Sequence, residues 1–419
     1  MGPPAPTGEV PSRPLAPPAA AAPVVPPPAA RAVSPAVPAP AAVPAPPSPP
    51  ATPGAPRKGR RAGGPLWARL LVVVGTLIML ASGGTIVGVK VLVGRAGSAI
   101  QQGNLLGDAG ATHVSIDGPL NILLVGIDQR PNSTDLIRSD SIIIAHVNAA
   151  HDQAFLVSIP RDLVVTIPAY DKTGYRGGRE KINAAFAFGS QGKGGREGGF
   201  ELLALTIQKN IAPGLTFHGG AIVDFGGFQA LVDVLGGVDM CIDQRVVSHH
   251  IGFDRKGNFL SPSKGGKAVV YEKGCQRMEP WQALDYARQR YGLENGDYDR
   301  QRHQQQFLKA MLKEAQKQGV ATNPVKLVKM MDAAGKAFTV DRHGIALEDW
   351  LFTVRNVITS EPVMIKTNAG RTNTVQLGNE EAEELTPESV QLFRALADDT
   401  LDRFVVDNPT FVSTDGFTG

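Results

Sequence analysis

The sequence predicts an α/β chain (α+β in the wider sense), with a central mixed β-sheet flanked by helices and preceded by one membrane-spanning helix. Three observations predict it. Strand-like runs at 121–127, 141–147 and 154–160 are followed by alternating helix-patterned and strand-patterned segments. One run of 20 residues, Leu70 to Val89, carries no charge. Of the 33 prolines, 21 fall within residues 1–56.

Residues 1–65 come first. The stretch to 56 is rich in Pro and Ala and has no aromatic residue. Such a composition cannot bury enough apolar surface to order itself, so a disordered leader with polyproline II character is expected. Residues 66–94 follow as the spanning helix, since about 20 apolar residues cross the roughly 30 Å of a bilayer core. Arg57, Lys58, Arg60, Arg61 and Arg69 precede the apolar run, whereas only Lys90 and Arg95 follow closely. Positive charge stays inside, which puts the N-terminus in the cytoplasm and everything after about 95 outside. A cleaved signal peptide fits less well, given the long leader and the length of the run. Cys241 and Cys275 are the only cysteines, and both fall in the outer part. In an oxidising compartment they read as a disulfide.

Residues 95–115 read as a stalk, 116–320 as the main domain, 321–405 as a C-terminal extension packed on it, and 406–419 as a loose tail. Within the domain "NILLVGI", "SIIIAHV" and "AFLVSIP" are strands, the last two joined by the polar turn "NAAHDQ". If they run up, down and up, one edge collects Asp128, Arg138, Asp140, Arg161 and Asp162. "KINAAFAFG" and "GGFELLALTIQKNI" read as helices, and "GSQGKGGREGG" between them as a flexible insertion. "FHGGAIVDF" and "VDMCID" read as strands. "GGFQALVDVLGG" is a helix stopped by Gly236 and Gly237. "MEPWQALDYARQR" starts a helix at Pro280. "YDRQRHQQQFLKAMLKEAQKQ" is the clearest helix, with Phe307, Leu308, Met311 and Leu312 as its buried stripe. Beyond 320, "NPVKLVKMMDAAGKAFTV" and "LEDWLFTVRNVI" look helical, and "PVMIKTNAG" and "VQLG" look like strands. "TPESVQLFRALADD" opens as a helix capped by Thr386.

The formal net charge of +3 excludes a strong overall attraction to nucleic acid. No P-loop, no G-x-S-x-G elbow and no H-x-x-x-H zinc spacing is present. The charged residues of interest are local. Arg288, Arg290, Arg300 and Arg302 lie within fifteen residues, with Asp297 and Asp299 between the pairs. A solvated helix face is the plainer reading of arginines beside acids. The sheet rim, however, independently offers Arg138, Arg161, Asp128 and Asp140. Guanidinium forks bind two oxygens of a phosphate at once. Carboxylates without nearby thiol or imidazole suit a hard cation, Mg2+ or Mn2+. Together they match the needs of a diphosphate.

"NILLVGIDQR", "RSDSIII", "LVSIPRD", "KINAAFAFG", "VDFGGFQALVDVLGGVDMCID", "GCQRMEPWQALDYARQR" and "DYDRQRHQQQFL" occur in this order across about 119–315. In this the chain resembles the LytR–CpsA–Psr family of Gram-positive bacteria. The proline-rich leader and the cysteine pair look like its actinobacterial branch. The resemblance implies a hydrophobic groove for a polyprenyl chain. It also implies a membrane-anchored phosphotransferase that moves a glycan, as its 1-phosphate, from a polyprenyl diphosphate to a peptidoglycan hydroxyl. The glycan implied is arabinogalactan or a related wall polymer. By motif, Asp128 and Asp140 would hold the metal ion. Arg138, Arg161, Arg288, Arg290, Arg300 and Gln304 would contact the diphosphate, with Arg138, Arg161 and Asp140 in the catalytic set. Position at the rim alone, apart from the resemblance, offers Asp162 or Asp140 as the base. A polyprenyl diphosphate hydrolase and a non-catalytic wall-polymer-binding regulator are the alternatives.

Overall fold

The computed structural model describes residues 101–111, 115–127, 136–320 and 360–413, with shorter runs between 323 and 357. The leader, the apolar run at 66–94 and Asp128 lie outside the described residues. No helix among the described residues is long and apolar enough to cross a membrane.

Seven strands form one mixed sheet. They are β1 (Gln101–Gln102), β2 (Leu120–Ile127), β3 (Ser139–Val147), β4 (Ala154–Ile159), β7 (Gly219–Asp224), β12 (Phe338–Asp341) and β13 (Val363–Lys366). Their spatial order is β1-β12-β7-β2-β3-β4-β13. The expected up-down-up meander is present: β2 pairs antiparallel with β3, and β3 with β4. β7 lies parallel to β2 on the other side. The ends of β2, β4 and β7 and the start of β3 therefore share one rim. Smaller two-stranded ladders complete the set: β5 (Val164–Ile167) with β6 (Gly178–Lys181), β8 (Val238–Ile242) with β11 (Gly274–Met278), β9 (Val246–Phe253) with β10 (Lys267–Tyr271), and β14 (Thr374–Leu377) with β15 (Glu380–Glu383).

Each strand of the meander shows two faces, because successive side chains alternate. Leu123, Val125, Ile127, Ile142, Ile144 and Val157 face a large core shared with helices α1 (Asn183–Gly189) and α2 (Gly195–Asn210). The opposite face looks toward α3 (Phe225–Val234), α4 (Pro280–Arg288) and α5 (Asp297–Lys317). A second core joins these helices to β8 and β11 through Val232, Met240, Met278, Tyr286 and Phe307. The glycine-rich stretch at 189–199 is not a flexible insertion. Its second half starts α2, and Gly189 and Gly198 let the two helix backbones meet where any Cβ would strike the partner's carbonyl.

The sequence-level domain boundaries also need correction. Leu105 and Leu106 are fully buried in the main core, so 101–111 belongs to the domain and not to a stalk. β12 and β13 enter the central sheet itself, and α6 (Pro387–Ala397) contributes Leu392, Phe393 and Leu396 to the main core. The segment after 320 completes the domain. The "FTV" end of a segment read as helical belongs to strand β12. The last described residues are not loose. Helix α7 (Leu401–Asp407) buries Phe404, Phe411 is buried beyond it, and the Ser413 amide donates to the Met364 carbonyl. α6 opens as expected, with the Thr386 hydroxyl accepting from the Ser389 amide.

Cys241 and Cys275 stand opposite each other on β8 and β11 and form a disulfide. The bond closes a loop with a sequence separation of 34. The chain-entropy relation values such closure at about 4 kcal/mol. Cys241→Ser should lower the unfolding free energy by an amount of that order in a urea titration. Reduction of the wild type should give the same loss, and further reduction of the variant none.

Candidate functional site

Register makes the rim unusual. Gly126 pairs with Ser141, but the next residue of β2, Ile127, pairs with Ser139. Asp140 is thus the extra residue of a β-bulge, a device that leaves one residue unpaired and re-aims its side chain. The ladder from β3 to β4 begins only at Ile142. The freed Asp140 carbonyl accepts instead from Arg300 Nη2 at 2.8 Å. Arg161 follows the end of β4, and its Nη1 donates to Asp140 Oδ1 at 2.5 Å. Arg161 Nε lies 3.5 Å from Asp162 and 3.9 Å from Asp297. Arg300 Nη2 is 2.7 Å from Asp297 Oδ1, and Lys181 Nζ is 3.8 Å from Asp162 Oδ1.

Two guanidiniums and three carboxylates from three distant chain segments thus form one cluster. Burial alone would lower the Arg161 pKa; Asp162, Asp140 and Asp297 outweigh it and raise it. Arg300 is only 5% exposed, and burial pulls its pKa down while Asp297 opposes. Both arginines remain cations.

Beside the cluster the second face of the sheet opens into an apolar cavity, about 650 Å³ of empty space including its mouth. Leu124, Ile143, Val223, Phe228, Leu284 and Phe307 line it. The Phe228 and Phe307 rings stack at 3.8 Å. Ser141, Asp224, Arg288 and Gln304 supply its polar edge. The bulge sets Ser141 against the cavity and Asp140 in the charged cluster, although the two are neighbours in sequence. Helix α4 ends at Arg288, because Gln289 is extended (ψ 134°). The chain therefore leaves the helix between the two arginines of "RQR". Arg290 donates to the Tyr291 hydroxyl at 2.5 Å and lies over that ring.

The expected site residues divide as follows. Asp140, Arg161, Asp162 and Arg300 meet directly. Arg288 and Gln304 sit at the apolar cavity, and Arg290 sits beside Tyr291. Arg138 is exposed and lines a separate cavity with Arg179, Lys181 and Glu380. Of the helix stripe read as ordinary core, Phe307 and Leu308 line the apolar cavity. Arg302 belongs elsewhere: it pairs with Asp243 at 2.6 Å and Asp299 at 2.9 Å, bracing the turn before α5.

Sequence reasoning missed Asp297 and Lys181 as members of the cluster. It also missed a buried carboxyl behind it. Glu383, 8% exposed, ends β15; its amide donates to the Asp162 carbonyl at 3.0 Å. Tyr298 donates to Glu383 Oε2 at 2.5 Å, and Asn368 donates to the Tyr298 hydroxyl at 3.1 Å. Burial pushes the Glu383 carboxyl up to about 7, with Asp297 and Asp162 adding to the effect against the Tyr298 hydrogen bond.

Fold and site together define an α+β protein whose sheet rim joins a guanidinium–carboxylate cluster to an apolar cavity. The chain belongs to the LytR_cpsA_psr family, whose model matches residues 96–387. It is 30% identical over 270 residues to a probable cell wall biosynthesis protein, LcpB of Corynebacterium glutamicum, covering 61% of this chain and 56% of that one. It is also 30% identical over 200 residues to a polyisoprenyl-teichoic acid–peptidoglycan teichoic acid transferase, TagU of Bacillus cereus, covering 48% and 54%. The chain thus spans about half the length of the curated relatives it matches. The crystal structure of protein gbs0355 from Streptococcus agalactiae shares the fold, with a TM-score of 0.54 at 20% identity over 70% of this chain and 91% of that one.

Glu383 yields a stability prediction. Its folded pKa lies above the usual carboxylate value, so the fold is penalised as pH rises from about 4.5 to 7 and stays penalised above. Glu383→Gln keeps an acceptor for Tyr298 and removes the charge. The variant should be more stable than wild type at pH 8, by up to about 3 kcal/mol, with the gain vanishing near pH 4. Urea unfolding across that range measures it.

Proposed function

We propose that the protein is a membrane-anchored phosphotransferase of wall assembly. It transfers a glycan, as its 1-phosphate, from a polyprenyl diphosphate to a peptidoglycan hydroxyl. Arabinogalactan or a related wall polymer is the glycan that the family resemblance favours. The observation that carries this reading is the junction at Ser141: an apolar cavity with Arg288 and Gln304 at its edge abuts the cluster of Asp140, Arg161, Asp297 and Arg300. An amphiphile with an isoprenoid tail and an anionic head matches that change from oil to charge. The names of LcpB and TagU support the same direction. The charge-free run at 70–89 would hold the domain within reach of a lipid-borne donor, outside the cell membrane.

The tail would lie along Leu124, Ile143, Leu284 and Phe307. Arg161 and Arg288, with Arg138 and Arg290 nearby in sequence, would hold the diphosphate oxygens. The acceptor hydroxyl attacks the phosphorus next to the glycan, and polyprenyl phosphate leaves. Negative charge grows on the bridging oxygen, where fixed guanidiniums stabilise it without reorganising. Arg300 is buried and doubly held, so it acts as the fixed post that sets Asp140 and Asp297. Asp162 or Asp140 would take the hydroxyl proton.

The donors at the rim are carboxylate oxygens, which suit Mg2+ or Mn2+. Among the described residues no group of three or more His, Cys, Asp or Glu side chains gathers to hold a metal alone. Asp140, with Asp128 directly after β2, would therefore share the cation with the substrate. The cation would offset charge on the diphosphate.

Arg161→Lys keeps the charge and loses the fork; Arg288→Ala removes a cation from the cavity edge. Each should cut transfer about 100-fold, with an unchanged melting temperature. The assay is the full chain in detergent with a short-chain polyprenyl diphosphate glycan, peptidoglycan and Mg2+, and products identified by mass. Wild-type release of free glycan phosphate regardless of acceptor would convert the reading to a hydrolase. No turnover would convert it to a binding protein.

A further inference from the structure

Apart from Arg138 in its wall, the second cavity has no role in the donor half of the reaction. It encloses about 930 Å³ of empty space, mouth included, between β6, the end of α1 and the turn joining β14 to β15. Its walls are mixed. Arg138, Arg179 and Lys181 supply cations, Glu180 and Glu380 supply carboxylates, the latter 3.0 Å from Lys181, Asn379 supplies an amide and Phe188 an apolar ring.

We propose that this cavity is the acceptor subsite, and that it takes a carboxylate-bearing glycan strand. The inference rests on the transferase reading and deepens it. Position is the first argument. The apolar cavity meets the charged cluster through Ser141, the neighbour of Asp140. The second cavity meets the same cluster through Lys181, 3.8 Å from Asp162, which lies 3.5 Å from Arg161. Arg138 enters its wall two residues before Asp140. Two cavities converging on one set of charges is the arrangement that brings two bulky substrates together at a phosphorus.

Wall chemistry is the second argument. A polyprenyl chain finds no continuous apolar surface here. A sugar finds what it needs: a ring face, since Phe188 is braced by stacking on Tyr175 at 4.3 Å, and polar groups around it. The cations favour carboxylates on that sugar. Arg179 is 57% exposed, and its contact with Glu384 is 3.4 Å, a surface pairing of little strength that a ligand carboxylate can replace. In the transfer step the acceptor oxygen bonds to the glycan-bearing phosphorus, and the bond from that phosphorus to the bridging oxygen breaks. Polyprenyl phosphate leaves with the electron pair. The acceptor proton passes to Asp162, the cluster carboxylate beside Lys181.

Two variants test this in the full chain. Arg179→Ala removes a cation, and Asn379→Trp fills the cavity from an exposed turn. Each should raise the KM for peptidoglycan strands about tenfold, while the Kd of the lipid diphosphate, measured by equilibrium binding, changes less than twofold. A second arm needs no transfer. A soluble peptidoglycan disaccharide should bind wild type more tightly with its carboxylate free than amidated, and Arg179→Ala should erase the difference. An unchanged acceptor KM in both variants, or equal binding of the free and amidated disaccharides to wild type, overturns the acceptor subsite. Carboxylate-selective binding without any transfer by wild type leaves the sugar site standing and removes the transferase reading instead.

Discussion

Taking a guanidinium out of water is costly because it gives up its hydration, and Arg300 is only 5% exposed. Its tolerance depends on two partners, the Asp297 carboxylate on its own helix and the Asp140 carbonyl on β3. The second partner exists only because β3 carries a bulge. A regular ladder would have committed that carbonyl to a neighbouring strand. The bulge and the burial of Arg300 are therefore one constraint. They fix the N-terminal end of α5 over the sheet rim, while Gln305, five residues on, donates to Ser158 and the Ile365 carbonyl and pins the same helix over β4 and β13. With α5 held at both points over the sheet, its Gln304, Phe307 and Leu308 line the apolar cavity.

Much of this was legible in the sequence because it is local. Three apolar runs with a short polar turn specify a meander, and the meander alone brings Asp140, Arg161 and Asp162 to one edge. The Pro280 start, the Gly236–Gly237 stop and the Thr386 cap each act within one helical turn. The bulge was not legible: "RSDSIII" reads the same with or without an extra residue, since its register is set by β2. Asp297 was visible only as an acid between arginines, and its role depends on α5 crossing the sheet. Glu383 sits in an ordinary acidic run, "NEEAEE"; nothing local marks one of its four glutamates as buried. Strand β12 was hidden for a similar reason, whereas β13 falls within "PVMIKTNAG", which reads as a strand. The four-residue length of β12 gives too few alternations for a period, and only the waiting edge of the sheet makes it a strand.

The glycines at 189–199 show how composition misleads at close quarters. Gly-rich sequence reads as flexibility when taken alone. Here the glycines permit a backbone approach between α1 and α2 that no side chain would allow, and that approach seats Phe186 and Phe200 in the main core. The same residue type serves opposite ends, and the difference lies in whether a partner backbone is present.

Charge balance gives the site its direction. Asp140, Asp162 and Asp297 face Arg161, Arg300 and Lys181, so the cluster is close to neutral by itself. A neutral cluster has no net pull on a dianionic diphosphate; it is a scaffold that orients. The attraction must come from cations at its margin, Arg288 at the apolar cavity and Arg138 two residues before Asp140. Opposite-signed groups that are already paired lose little when a substrate arrives, because their geometry is set in advance and few dipoles have to turn. Marginal cations, by contrast, keep more of their hydration and lose it on binding, so their contribution is affinity. The division between an orienting centre and an attracting margin follows from burial: the interior can hold a guanidinium only beside a carboxylate, whereas solvent screens one nearer the surface.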